Sequence, residues 1–245
     1  MIITELKGYS GSRVQLIRSK NQVYVKKTGN VKRNYQRLTH LQQQGYPVCK
    51  VIDFYEDVLI LEYIHGLDML NYLQQHNVNE LIKFLCDLFD SFKLSSSEKN
   101  YQQIYYNKLS DINFDKFSFT ADQLISRIPK FMPHGDYHGD LTLENIIYSH
   151  GRGFVLIDAA DIEYDGYQFD IAKLSQDIIC KWFIRDTQIN LDYKLQSIVE
   201  QLITRFGYIS PELVITQLLR VYKHATHDLK NQQFLFENIE TLWKS

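Results

Sequence analysis

The chain has 245 residues and a formal net charge of −2 at pH 7, a balance that gives no overall attraction to nucleic acid or anionic membranes. Apolar residues make up 44% of it, with 17 Tyr and 14 Phe, so it can bury the core of one large domain or two modest lobes. No apolar run approaches membrane-spanning length, and the N-terminus lacks the basic and apolar regions of a signal peptide.

The first third of the sequence has β character. Short β-branched or alternating segments predict three strands, at 2–6, 14–18 and 22–26. The spacing of apolar residues then predicts a helix over 30–44, ended by Gly45. Segments 51–55 and 58–63 predict a hairpin that turns at Glu56-Asp57. Together these elements predict a five-stranded sheet with one helix inserted after the third strand.

From residue 68 onward the pattern is mostly helical. Apolar residues between 81 and 92 recur at helical spacing and predict a buried stripe, which is followed by a break at Ser95-Ser96-Ser97. Ser210 and Pro211 have the residue types of an N-cap and a first helical position, and Gly207 is a stop signal. Three later helices are predicted around 195–202, at 212–223 and at 228–243.

The three cysteines, Cys49, Cys86 and Cys180, are far apart and odd in number. This usage predicts reduced thiols in a cytoplasmic protein, with each Cys acting as a small buried apolar residue.

One segment of the sequence contains the candidate catalytic and metal-binding residues. His138-Gly139-Asp140-Leu141-Thr142-Leu143-Glu144-Asn145 is followed by the apolar run 154–157, which ends at Asp158. Transfer of a nucleotide's terminal phosphoryl group to a hydroxyl needs these groups: one carboxylate orients the acceptor hydroxyl, while an amide and a second carboxylate hold Mg²⁺. The apolar run predicts a short buried strand, a rigid support for a metal ligand. The pattern therefore favours a phosphotransferase.

Two other interpretations of the same region are open. Asp and Asn are common in turns, because their side chains bond the nearby backbone. His134, Asp136, His138 and Asp140 alternate, so on a strand they would face one side as a possible metal-ligand cluster of a hydrolase. The metallohydrolase hypothesis gives no role to Asn145 or Asp158, and it is therefore the minor alternative.

The small β region, the helical region and the motif resemble the protein-kinase-like fold, and the similarity is to the aminoglycoside phosphotransferase and choline kinase superfamily. Those enzymes typically carry H-G-D-x-x-x-x-N followed by Ile-Asp, here residues 138–145 and Ile157-Asp158. The resemblance implies an α+β, two-lobe fold with a five-stranded antiparallel sheet and one helix in the small lobe. The lobes are expected at 1–65 and 66–245.

The resemblance also implies roles for individual residues. Asp140 would be the catalytic base, and Asn145 and Asp158 the Mg²⁺ ligands, with ATP or GTP as co-substrate. Asp170 matches a family Asp that caps the following helix. The pair Ala159-Ala160 stands where protein kinases have Phe-Gly, which argues against a regulated protein kinase.

Nucleotide contacts are expected in the N-terminal lobe. Ser10, in the loop 8–12, would donate to a phosphate oxygen. Residues 23–26 are an alternating strand that ends in a lysine, as the family's nucleotide-binding strand does. The alternation predicts that Lys26 points inward to the phosphates and Lys27 outward. Glu62 and Ile64 lie where the family has its interlobe hinge, whose backbone bonds the purine.

One departure from the family pattern is the inserted helix. Kinases of this fold pair the strand lysine with a glutamate from that helix, but no acidic residue occurs between Thr28 and Lys50. Either Asn34 or Gln36 orients the lysine, or another region supplies the carboxylate. The departure admits a second function, a catalytically impaired pseudokinase that acts as a nucleotide-binding or scaffold module.

The acceptor is expected to be a small hydroxylated metabolite, either a sugar, an amino sugar or an amino alcohol. Asp161, Glu163 and Asp165 form an acidic group that would suit a cationic acceptor. Four nearby aromatic residues would hold a quaternary amine by cation–π attraction: Tyr164, Tyr167, Trp182 and Phe183. A solvated acidic turn beside ordinary core aromatics is the alternative.

Overall fold

The computed structural model describes residues 2–6, 12–20, 22–225 and 227–245. The strands are β1 (Ile2–Leu6), β2 (Arg13–Ser19), β3 (Gln22–Thr28), β4 (Val51–Tyr55), β5 (Val58–Glu62), β6 (Leu67–Asp68), β7 (Ser97–Asn100), β8 (Phe131–His134), β9 (Ile146–Ser149) and β10 (Gly153–Leu156). The helices are α1 (Lys32–Gln43), α2 (Met69–Gln75), α3 (Asn79–Leu94), α4 (Gln102–Leu109), α5 (Ala121–Arg127), α6 (Tyr167–Ile178), α7 (Asp192–Phe206), α8 (Pro211–Tyr222) and α9 (Leu229–Lys244).

The chain divides into two compact units that are interleaved along the sequence. The first comprises Met1–Gln75, His138–Asp140 and Glu144–Ile162, and the second comprises His76–Tyr137, Leu141–Leu143 and Glu163–Ser245. The predicted lobes, 1–65 and 66–245, follow chain order instead. The units differ from those lobes because strand β9 pairs with β6 and strand β10 pairs with β9. The β9–β10 hairpin therefore belongs to the first unit.

The first unit contains the predicted sheet. Its five strands run in the order β1-β2-β3-β5-β4, and neighbouring strands are antiparallel. Helix α1 lies between β3 and β4 in the sequence and buries Leu38 and Leu41 on one face, as its apolar spacing predicted. The five strands and the helix confirm this part of the predicted α+β fold.

A second, three-stranded sheet in the first unit has the order β10-β9-β6. Strand β10 also forms a parallel bridge from Leu156 to Val48. Apolar side chains fix the position of this sheet, since Ile146, Val155 and Leu156 are all buried. The sheet is a rigid base for the residues that follow β10.

The second unit is mainly helical, with the β7–β8 hairpin as a separate two-stranded sheet. Helix α3 buries the predicted stripe, in which Leu81, Leu85 and Phe89 are fully enclosed. The predicted start of α8 is also confirmed, because Ser210 Oγ accepts from the Leu213 backbone N–H at 3.2 Å. No helix within the described ranges is long and apolar enough to cross a membrane.

Gly66 precedes β6 at a close approach of two backbone segments. A Cβ atom at this position would lie 2.2 Å from the carbonyl oxygen of Tyr148, which is on β9. We expect Gly66→Ala to lower the free energy of unfolding by more than about 2 kcal/mol, because backbone atoms must move to relieve the overlap. Gly151→Ala is the matched control, since its Cβ would meet nothing within 4 Å.

Urea unfolding of both variants measures the effect. The control should stay within about 0.5 kcal/mol of the native chain. Equal stabilities of the Gly66 and Gly151 variants would contradict the described β6–β9 packing.

Candidate active site

The hairpin β9–β10 brings two of the predicted site residues to one end. The strands pair with Ile146 opposite Leu156, so Asn145 directly precedes one strand and Ile157 directly follows the other. The Ile157 backbone N–H donates to the Asn145 carbonyl oxygen at 2.9 Å. Asn145 and Asp158 are therefore held at the same edge of the sheet by backbone bonds, as the predicted strand before Asp158 required.

Asn145 is also bonded to Asp140. Its Nδ2 donates to the Asp140 carbonyl oxygen at 2.8 Å and lies 3.5 Å from the carboxylate Oδ2 of the same residue. The amide nitrogen thus orients the side chain toward Asp140, and Oδ1 is the atom of Asn145 that can ligate a cation. The three motif residues lie in one compact unit.

Asp158 has an unusual backbone conformation, with φ of 58°. Aspartate visits this left-handed region more readily than most residues. Its carboxylate Oδ1 accepts from Lys27 Nζ at 2.5 Å and from Asn34 Nδ2 at 2.9 Å. The carboxylate is accordingly oriented by two donors on a single oxygen.

The lysine that reaches Asp158 corrects the predicted strand register. Lys27 is buried, with 5% of its surface exposed, and it forms the ion pair, whereas Lys26 is half-exposed. The prediction that Lys26 points inward and Lys27 outward is wrong. It failed because alternation gives a period but not which face is buried: it groups Lys26 with Tyr24, and it equally groups Lys27 with Val23 and Val25.

Helix α1 supplies a neutral donor where a glutamate was expected. Asn34 Nδ2 donates to Asp158 Oδ1 and to the Ala159 carbonyl oxygen, each at 2.9 Å. The Asp161 backbone N–H donates to the Arg33 carbonyl oxygen at 3.1 Å. Of the two candidates on this helix, Asn34 contacts the site and Gln36 is exposed.

His138 is fully buried and structural. Its Nε2 lies 2.9 Å from the Ile157 carbonyl oxygen, and the Asp140 backbone N–H donates to its Nδ1 at 3.3 Å. These partners assign the neutral ring with its proton on Nε2. Burial lowers the pKa of His138 from its ordinary value to about 4, so the ring is uncharged at neutral pH.

The structure does not form the metal-ligand cluster that the metallohydrolase hypothesis needs. Strand β8 ends at His134, so the alternating face that would align His134, Asp136 and His138 does not form. Both ring nitrogens of His138 already have partners, and His134 Nδ1 lies 3.0 Å from Ser97 Oγ. In the part of the chain that the structure describes, no group of three His, Cys, Asp or Glu residues could hold a metal ion.

The remaining nucleotide-binding predictions have mixed outcomes. Ser10 lies outside the described residues. The Glu62 carboxylate accepts from Arg152 Nη1 at 2.8 and 2.9 Å and from the Lys50 backbone N–H at 3.1 Å, so its side chain has structural partners. Ile64 is half-buried just beyond β5. Backbone contacts of Glu62 and Ile64 with a purine stay a prediction.

The acidic group after Asp158 is partly neutralised within the second unit. Asp165 accepts from Lys99 Nζ at 2.6 Å and from the Tyr101 hydroxyl at 2.7 Å, and Glu163 pairs with Lys108. Burial and the Asp165 carboxylate raise the pKa of Tyr101. Three of the four nearby aromatics are buried, namely Tyr164, Tyr167 and Trp182. These contacts favour the alternative of a structural turn with core aromatics.

Helix α6 contains two buried aspartates, Asp170 and Asp177. Gly166 occupies the N-cap position of the helix, and Asp170 lies inside the first turn, so its predicted capping role is wrong. Asp177 accepts from the Leu143 backbone N–H at 2.6 Å. Two aspartates seven residues apart in an apolar helix were the available signal for a buried polar face.

The cysteines are free and buried, as predicted. Cys49 is adjacent to the site, where burial and the nearby Asp158 carboxylate raise its thiol pKa to about 12. The thiol is therefore neutral at physiological pH.

Solved structures match the chain over nearly its whole length, although no protein-family model and no curated protein sequence matches it. A thermostable mutant of aminoglycoside phosphotransferase APH(4)-Ia aligns with a TM-score of 0.70 and 10% identity, covering 100% of this chain and 94% of that one. Choline kinase LicA from Streptococcus pneumoniae aligns with a TM-score of 0.62 and 15% identity, covering 98% and 94%. A second matching structure of LicA contains AMP. Two matching structures of APH(4)-Ia mutants contain hygromycin B, one together with ADP and the other together with AMP-PNP.

At these identities the comparison establishes the fold. The chain has the α+β, protein-kinase-like fold of aminoglycoside phosphotransferases and choline kinase, and the predicted fold class is confirmed.

The buried His138 ring makes stability depend on pH. Because its pKa is about 4 in the folded chain and about 6.5 when unfolded, the unfolded chain binds more protons as the pH falls through that interval. Its contribution is therefore complete above pH 6.5 and is lost toward pH 4. Between pH 7.5 and 4.5 the native chain should lose about 2 to 3 kcal/mol more stability than His138→Asn.

Urea unfolding of both chains at the two pH values measures this difference. Parallel losses of stability in the native chain and in the variant would show that the imidazole is not held neutral.

Proposed function

We propose that the chain transfers the γ-phosphoryl group of ATP or GTP to a hydroxyl of a small metabolite, with Mg²⁺ as the required cation. The observation that carries the proposal is the placement of Asp140, Asn145 and Asp158 in one compact unit. Asn145 bonds Asp140, the Ile157 N–H next to Asp158 bonds the Asn145 carbonyl oxygen, and the Lys27 ammonium bonds Asp158. A carboxylate, an amide, a second carboxylate and a lysine are the groups that phosphoryl transfer uses.

The donor atoms fit magnesium. Asn145 Oδ1 and Asp158 Oδ2 are hard oxygen ligands of the kind that Mg²⁺ prefers. Asn145 Nδ2 donates to the Asp140 carbonyl oxygen, and Lys27 Nζ donates to the other carboxylate oxygen of Asp158. When bound, Mg²⁺ would offset the negative charge of the phosphates and align them. Asn145 and Asp158 would hold it.

Asp140 is the proposed catalytic base. In the transfer the acceptor oxygen bonds to the γ-phosphorus as the bond to the β–γ bridging oxygen breaks, which releases the nucleoside diphosphate. The hydroxyl proton passes to the Asp140 carboxylate. The Asn145 amide fixes the backbone of Asp140, so the carboxylate is positioned before the acceptor arrives. Lys27 would stabilise the phosphate charge.

The structural neighbours support a nucleotide co-substrate, since complexes with AMP, ADP and AMP-PNP are among them. They also support a small hydroxylated acceptor, since a phosphotransferase with bound hygromycin B and a choline kinase share the fold. Because Glu163 and Asp165 already pair with lysines, we propose that neutral sugars belong in the acceptor set beside amino sugars and amino alcohols.

The competing function is a pseudokinase that binds nucleotide without turnover. Catalysis is favoured because the three motif residues are present, because Asn145 is bonded to Asp140, and because Lys27 contacts Asp158 despite the absence of a helix glutamate. A screen of sugars, amino sugars and amino alcohols with Mg-ATP and Mg-GTP, reading released diphosphate, separates the two functions. Nucleotide binding without turnover on any acceptor would favour the pseudokinase.

Asp140→Ala tests the catalytic base. We expect kcat to fall by about 10²- to 10⁴-fold, the range of general-base catalysis, with the dissociation constant for Mg-nucleotide changed much less. Glu144→Gln is the matched control, an exposed carboxylate in the same loop, and should keep its kcat. Initial-rate assays of diphosphate release measure kcat, and equilibrium titration with Mg-nucleotide measures the dissociation constant. A fully active Asp140 variant would remove the proposed base.

Paired lysine substitutions test the strand register. Lys27→Met should raise the KM for the nucleotide by about 10- to 100-fold, because a charge-assisted bond to phosphate is worth about 1.5 to 3 kcal/mol. Lys26→Met keeps the same stem at the neighbouring, half-exposed position and should change KM little. The reverse order of effects would restore the register that the sequence alone predicted.

A further inference from the structure

We infer that Asn34 is a positioning residue for Asp158, one that orients the metal ligand itself and not the strand lysine. The inference rests on the proposed function, because it names how the Mg²⁺ ligand of that function is held. It concerns a position at which this chain departs from kinases that place a glutamate on the same helix.

Asn34 makes two hydrogen bonds, one to the side chain of Asp158 and one to the backbone of the next residue, Ala159. The side chain lies in the first turn of α1 and donates to Asp158 Oδ1 and to the Ala159 carbonyl oxygen, each at 2.9 Å. One amide group thereby fixes both the carboxylate of Asp158 and the backbone that follows it. Asp158 has the left-handed φ of 58°, a conformation that persists when surrounding bonds hold it.

The local acceptors disfavour a carboxylate at this position. A glutamate or aspartate in place of Asn34 would direct carboxylate oxygens at two acceptors, Asp158 Oδ1 and the Ala159 carbonyl oxygen. Like charges this close are unfavourable. The absence of acidic residues between Thr28 and Lys50 is therefore compatible with a working site, since the helix serves the metal ligand instead of the lysine.

The shared oxygen gives Asn34 its specific task. Lys27 and Asn34 both donate to Oδ1, which leaves Oδ2 as the carboxylate oxygen for Mg²⁺. When Lys27 engages the nucleotide phosphates, its bond to Asp158 weakens, and Asn34 is the donor that stays. Groups that orient a metal ligand in this way typically contribute 10- to 100-fold to metal affinity.

Metal affinity is the direct test. The dissociation constant of Mn²⁺ is measured by electron paramagnetic resonance of the free ion, in the presence of AMP-PNP, for the full chain and its variants. Asn34→Leu keeps the side-chain bulk and suits a helix but cannot donate, and Asn34→Ala is the second variant. We expect both to weaken Mn²⁺ binding by about tenfold or more.

Gln36→Leu is the matched control, because it removes a side-chain amide from an exposed position two residues away on the same helix. It should bind Mn²⁺ as the native chain does. In turnover assays the Asn34 variants should need more Mg²⁺ for half-maximal rate, and excess Mg²⁺ should restore most of kcat. Thermal unfolding midpoints confirm that each variant is folded at the assay temperature.

The outcomes separate the inference from the proposed function. If the native chain binds no Mn²⁺ with AMP-PNP, the proposed function itself fails. If the native chain binds and both Asn34 variants bind equally well, the positioning role is overturned while the function stands. A raised KM for the nucleotide with unchanged metal affinity also overturns it, because Asn34 would then serve Lys27.

Discussion

The bond between the Lys27 ammonium and the Asp158 carboxylate is the interaction on which the first unit's site depends. It joins β3 to Asp158, the second residue after β10, across 131 positions of sequence. A lysine enclosed to this degree is tolerated when its charge is paired, since an isolated buried charge is costly. Asn34 adds a donor from α1 to the same carboxylate oxygen. Three separate elements therefore meet at one side chain.

A second set of hydrogen bonds begins at Ile157, the residue before Asp158, and runs through the motif. The Ile157 amide bonds the Asn145 carbonyl oxygen, and the Asn145 side chain bonds the Asp140 carbonyl oxygen. His138 closes the chain of contacts, because it bonds both the Ile157 carbonyl oxygen and the Asp140 amide. The arrangement fixes the backbone around Asp140, which is the kind of preorganisation that the proposed phosphoryl transfer would use.

The sequence predicted the elements whose patterns are long or capped, such as the five strands, α1, the α3 stripe and the Ser210 cap. It missed β6, β7, β8 and β9, because strands of two to four residues carry too little alternation to be recognised. It misplaced the inward lysine since alternation gives a period but not a choice of face. The neutralisation of Asp165 was also invisible, because its partner Lys99 lies 66 residues earlier.

A crystal structure of the chain with Mn²⁺ and AMP-PNP would locate the cation independently of any functional assay, because manganese gives an anomalous signal. We expect the ion beside the nucleotide phosphates, bound by Asn145 Oδ1 and a carboxylate oxygen of Asp158 at about 2.0 to 2.2 Å. An ion held away from both residues, or nucleotide bound with no ion between it and Asp158, would show that these residues do not form the metal site.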